Sequence, residues 1–211
     1  MLENIIFDLG GVLLTLDMSK TTEAFARLGW KDAAWKGISQ SGYLIFENLE
    51  TGLDTSEEFR KNIRKMLPGN PSDDEIDFAW NAMLIDFPSV IVDYLIDLKS
   101  RFNLFLLSNT NELHLIRFRD IFYKSYGYPI DTLFTKTYYS HEIGFRKPNP
   151  ESFQSVLNDA AIKPECTLFV DDLKANTDTA ANLGMKALHI EAGTLMQTLP
   201  EYLKINSLTS H

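Results

Sequence analysis

The chain has 211 residues, 45% of them hydrophobic, and a net charge of −9 at pH 7. That is long enough for one full domain with a sizeable insertion, and the acidity disfavours nucleic acid, whose phosphate backbone calls for a basic surface. A small phosphorylated molecule stays open, because it needs positive charge or a metal in one pocket only.

No apolar run is long enough to span a bilayer, and no basic segment leads into an apolar signal region. The single cysteine, Cys166, excludes an intrachain disulfide and suits a reducing compartment. The expectation is a cytoplasmic protein with no membrane partner.

The first element is Ile5-Ile6-Phe7, a short apolar run closed by Asp8 and the pair Gly10-Gly11. It reads as a buried strand of a parallel sheet. A carboxylate at the C-terminal end of such a strand stands where open α/β sheets bind ligands. The competing reading is an Asp that caps a turn.

From Asp17 to about Pro88 the pattern is helical. Thr55 with Glu58, and Ser72 with Glu75, have the spacing of capping boxes. Phe59, Ile63, Met66 and Leu67 then share one helix face, as do Ile76, Ala79, Trp80, Met83 and Leu84. Residues 15–88 are therefore expected to be an acidic helical insertion without strands, with Trp30, Trp35 and Trp80 in its core. Tyr43, Phe46 and Glu47 are candidates for substrate contact, against the alternative of ordinary helix packing.

Beyond Ser89, strand and helix alternate. Val90, Tyr94, Leu95 and Leu98 make one helix face. Strands are expected at Asn103–Leu107, Lys136–Tyr139, Thr167–Val170 and Lys186–Ile190, with helices over 112–126 and from Pro150 to Ala161. The fold class is thus α/β: a Rossmann-like parallel sheet core with helices on both faces, formed by residues 1–14 and 89–211, with 15–88 inserted.

Asp8, Ser108, Lys147 and Asp171-Asp172 stand out. All but Lys147 follow predicted strands, so a parallel sheet brings them to one edge. Three carboxylates meeting there repel one another unless a cation joins them, and carboxylates with a carbonyl and water suit Mg²⁺. A hydroxyl, a backbone N–H and an ammonium suit phosphoryl oxygens. A carboxylate facing phosphorus can attack it. His114 and His141 have no metal-ligand spacing and read as packing or surface residues.

In this arrangement the sequence resembles the haloacid-dehalogenase-like hydrolase superfamily. The resemblance rests on four motifs in order: Phe7-Asp8-Leu9-Gly10-Gly11-Val12, Leu106-Leu107-Ser108-Asn109-Thr110-Asn111, Gly144-Phe145-Arg146-Lys147-Pro148, and Val170-Asp171-Asp172 through Asn176. Asp-Leu-Gly, Ser-Asn-Thr-Asn and Arg-Lys-Pro look most like the branch of sugar-phosphate phosphatases.

The resemblance implies Asp8 as nucleophile. It implies Asp8, the Gly10 carbonyl and Asp172 as Mg²⁺ ligands, with Asp171 beside them or bound through water. It implies Ser108, the Asn109 N–H and Lys147 as the phosphoryl clamp, with Asn176 orienting the acidic pair. The insertion at 15–88 then resembles the family's helical cap.

Most phosphatases of the superfamily have a second Asp where Gly10 stands, although the branch most resembled shares the Gly. The expected activity is Mg²⁺-dependent hydrolysis of a small phosphomonoester through an aspartyl-phosphate. The alternatives are a 2-haloacid dehalogenase, which works without metal and generally lacks the paired acids, and a catalytically weak member that binds a phosphometabolite or a protein.

Overall fold

The structure, a computed structural model, describes residues 1–30 and 40–208, without the side chains of 40–43 and 206–208. Trp35 and the Tyr43 side chain lie outside the described residues. Five parallel strands form one sheet: β1 (Asn4–Phe7), β2 (Asn103–Ser108), β3 (Lys136–Tyr139), β4 (Thr167–Asp171) and β5 (Lys186–His189), in the order β3-β2-β1-β4-β5.

The central position of β1 follows from its composition. All four of its residues are buried, so both faces need cover. Alternate residues serve opposite faces. Ile5 and Phe7 join Leu104, Leu106, Leu168 and Val170 on one side, covered by α5 (Ser89–Lys99) and α6 (Glu112–Tyr126). Ile6, Phe105, Leu107 and Phe169 face the other side, against Phe153 and Val156 of α7 (Pro150–Asp159) and Ala180 of α8 (Lys174–Asn182). The strand order reverses beside β1, and the C-terminal end at such a switch point is where open sheets take ligands.

Between β1 and α5 lie α1 (Met18–Arg27), α2 (Gln40–Glu50), α3 (Ser56–Met66) and α4 (Asp73–Asn81). Asp17 caps α1 by accepting from Ser19 N–H at 3.0 Å. Both capping boxes form. The Thr55 and Ser72 hydroxyls accept from Glu58 and Glu75 N–H at 3.2 and 3.3 Å, and each Glu accepts in return at 2.8 Å.

The chains entering and leaving this insertion run side by side. Leu16 bridges antiparallel to Leu84, with Thr15 N–H donating to Asp86 O at 2.9 Å and Asp17 N–H to Met83 O at 2.9 Å. The sequence pattern anticipates no such pairing, because each strand-like piece is only two or three residues long.

Packing is continuous between insertion and sheet. Trp80 stacks on the His114 ring of α6 (centroids 4.6 Å apart) and on Phe46 (5.0 Å). Val90 differs from expectation: it is exposed, and the inward face of α5 is Ile91, Val92, Leu95 and Leu98. The helix starts at Ser89, which turns Val90 outward in the first turn. No helix among the described residues is long and apolar enough to cross a membrane.

Candidate active site

Asp8 directly follows β1 and stays in register with β4, its N–H donating to Val170 O at 2.9 Å. Ser108 ends β2 and is buried. Asp171 ends β4 and is wholly buried; Asp172 follows it. Lys147 enters from the loop before α7, ahead of a cis Lys147–Pro148 peptide bond.

Its Nζ donates to Asp8 Oδ1 at 2.6 Å and to Asp171 Oδ2 at 2.8 Å, with 1% of the side chain exposed. The sheet thus brings the four candidate positions together at one edge.

Asp171 has further donors. Asn176 Nδ2 reaches both of its oxygens at 3.0 Å, and Leu173 N–H donates to Oδ1 at 2.8 Å. Asp8 and Asp172 lack such a set. One carboxylate oxygen from each of Asp8, Asp171 and Asp172 falls within 4.8 Å of the others.

Burial raises the Asp8 carboxyl pKa to about 7, with the Asp171 charge adding to the rise and Lys147 opposing it. Burial and Asp171 likewise raise Asp172. Burial alone would lower Lys147; Asp8 and Asp171 overcome that and hold its ammonium charged. The three acids outnumber the one lysine. Such an oxygen-rich, under-neutralised set fits a hard divalent cation.

Three arrangements were hidden from the sequence. Asn109, expected to contribute its backbone N–H, also locks Lys147 with its side chain: Nδ2 donates to Lys147 O at 2.8 Å, and Oδ1 accepts from Lys147 N–H at 2.8 Å. Arg146, the residue before, reaches α2. Its Nη2 lies 2.9 Å from Glu50 Oε2 and its Nη1 4.0 Å from Glu47 Oε1. Burial raises the Glu50 carboxyl pKa, partly offset by Arg146.

The third concerns the glycines. Gly11 has φ +77°, and a Cβ there would lie 2.5 Å from Asp172 Oδ2. Gly10 lies outside the left-handed region; its Cβ would meet Leu16 Cδ1 at 2.7 Å. A positive φ thus restricts the second glycine and leaves the first free of that restriction.

A cavity of about 400 Å³ opens over this edge. Gly10, Ser108 and Asn109 line one part of it, Glu47, Glu50 and Arg146 another, and Leu16, Phe46, Met83 and Phe118 are among its apolar walls. His114 also lines it, but stacked on Trp80 with Nε2 3.2 Å from Trp80 O. It is a packing residue, and burial lowers its pKa to about 4.

Residues 2–184 match the family described as haloacid dehalogenase-like hydrolase. The chain belongs to that family. Among haloacid dehalogenase-like relatives, D-ribitol-5-phosphate phosphatase of Bacteroides thetaiotaomicron is 32% identical over 193 residues, which cover 92% of this chain and 94% of the relative.

A HAD family enzyme of B. thetaiotaomicron has been solved with magnesium and inorganic phosphate. It is 37% identical, the match covers 92% of this chain and 96% of that one, and the TM-score is 0.86. A predicted HAD-like hydrolase from Porphyromonas gingivalis is 31% identical over the whole of both chains, with a TM-score of 0.88.

Proposed function

We propose that this chain is a magnesium-dependent phosphatase that hydrolyses a small phosphomonoester, a sugar or polyol phosphate, through an aspartyl-phosphate on Asp8. The observation that carries this reading is the convergence of Asp8, Asp171 and Asp172 around one buried lysine. The phosphatase relative and the relative solved with magnesium and phosphate support it. The acid cluster favours it over a metal-free dehalogenase.

In this reading Asp8 and Asp172, with the Gly10 carbonyl, hold Mg²⁺. Asp171 stands beside them and orients Lys147, and Asn176 orients Asp171. When bound, the ion neutralises the carboxylates and polarises a phosphoryl oxygen. Ser108, the Asn109 N–H and Lys147 bind the remaining oxygens.

An Asp8 oxygen bonds to phosphorus as the ester P–O bond breaks, and the departing alcohol oxygen takes up a proton. Water then attacks phosphorus, releases phosphate and restores Asp8. Residues 15–88 act as the cap over the core of 1–14 and 89–211, excluding bulk water.

The test is phosphate release from a panel of phosphorylated metabolites, with and without Mg²⁺. Metal-dependent turnover that is lost in Asp8→Asn is expected. Undiminished turnover in excess chelator would overturn the reading.

A further inference from the structure

The cavity is lined by two unlike sets of polar groups. Gly10, Ser108 and Asn109 belong to the proposed phosphoryl site. Glu47 and Glu50 stand one turn apart on α2 and therefore on one face. Both carboxylates turn toward Arg146, which in sequence adjoins Lys147.

The three groups together carry one positive and two negative formal charges. Arg146 Nε is buried and has no hydrogen-bond partner among the described residues. A guanidinium has five donors in a fixed fork, and a carboxylate only accepts. Glu47 is half-exposed and sits at the outer limit of an ion pair, so its oxygens keep capacity to accept.

This wall therefore sets a guanidinium beside carboxylate oxygens that keep capacity to accept. A hydroxyl both donates and accepts, so a row of neighbouring hydroxyls matches such a wall. The apolar part of the lining, from Leu16, Phe46, Met83 and Phe118, suits the C–H side of the same chain. A second anion would meet the surplus carboxylate instead, which is a repulsive means of selection.

We propose that Glu47, Glu50 and Arg146 form the specificity element of the site. They select phosphomonoesters whose other end is a short run of neutral hydroxyls, and they reject those ending in a second anion. The proposal rests on the phosphatase reading above and deepens it.

The test uses the full chain with Mg²⁺ and three substrates: a short polyol monophosphate, the corresponding aldonic acid phosphate ending in a carboxylate, and p-nitrophenyl phosphate. The wild type should prefer the polyol over the acid by about tenfold or more in kcat/KM, the scale of one charge-assisted hydrogen bond. Glu47→Gln and Glu50→Gln should narrow that preference, by a lower KM for the acid and a higher one for the polyol. Glu47→Lys should tilt it toward the acid.

Folding of each variant is checked by thermal melting, and the half-exposed Glu47 tolerates isosteric Gln. Folded variants that change all three substrates in the same proportion overturn the proposal. So does a wild type that hydrolyses the aryl phosphate but treats polyol and acid alike; in that case the phosphatase reading survives. A wild type inactive on all three overturns both.

Discussion

Asn109 and Lys147 are joined by two hydrogen bonds of 2.8 Å, the Asn109 amide spanning both the N–H and the C=O of the lysine. This fixes the backbone from which Lys147 reaches Asp8. Net contributions of about 0.5–1.5 kcal/mol per bond put the cost of Asn109→Ala at about 1–3 kcal/mol. Turnover should fall further than stability, because the ammonium loses its aim. Denaturant unfolding and kcat, measured together, check this; a destabilised variant with wild-type kcat would rule out the positioning role.

Asp172 lacks the donors that engage Asp171 and is proposed to hold the metal. Asp172→Ala should raise the Mg²⁺ concentration for half-maximal activity by at least about tenfold, since even outer partners of metal ligands are worth about 10–100-fold. Mg²⁺ should also raise the melting temperature of the wild type more than that of the variant. Equal Mg²⁺ titrations for the two proteins would remove Asp172 from the proposed ligand set.

Gly10 provides no carboxylate to protonate a leaving oxygen, and general acids contribute about 10²–10⁴-fold. Where contacts to the cap are matched, aryl and anomeric phosphates should therefore be favoured over alkyl phosphates, polyol phosphates included. Gly10→Asp is conformationally permitted, and the contact to relieve is the end of the Leu16 side chain. The double variant Gly10→Asp with Leu16→Ala should speed alkyl more than aryl ester hydrolysis. A folded double variant with unchanged leaving-group dependence would mean that the proton already comes from elsewhere.

Burial holds the His114 pKa near about 4, well below the ordinary value of 6.5. The unfolded chain therefore binds a proton that the folded one refuses. Above pH 6.5 both forms are neutral. As pH falls from 6.5 toward 4, stability drops by up to about 3 kcal/mol. His114→Gln should flatten this part of the curve, seen as the difference between variant and wild-type unfolding free energies at pH 7 and pH 5. Parallel curves would contradict it.

What the sequence disclosed was local. Ile5-Ile6-Phe7 announces a buried strand, and Thr55 and Ser72 cap their helices through residues three positions on. All the motif positions but Lys147 end strands, so placing them on one edge needed only the rule that parallel strands share direction. The Asn109 lock, the reach of Arg146 to Glu50 and the packing of Leu16 over Gly10 join residues distant in the chain or pairs fixed by the path of the backbone. Val90 was misplaced because periodicity sets the spacing of a helix face but leaves its phase to where the first turn begins.

The central place of β1 also governs how the molecule assembles. Asn4 pairs with Asn103 on one side and Thr167 on the other, separations of 99 and 163 residues. Closing loops of that size costs entropy before any contact rewards it. Asp8, synthesised well before Val170, has no Val170 carbonyl to bind until the fourth strand arrives. A nascent chain that ends before Thr167 should therefore be inert, however well its helices have formed. On refolding, activity should return in one step with the sheet and lag behind helix content.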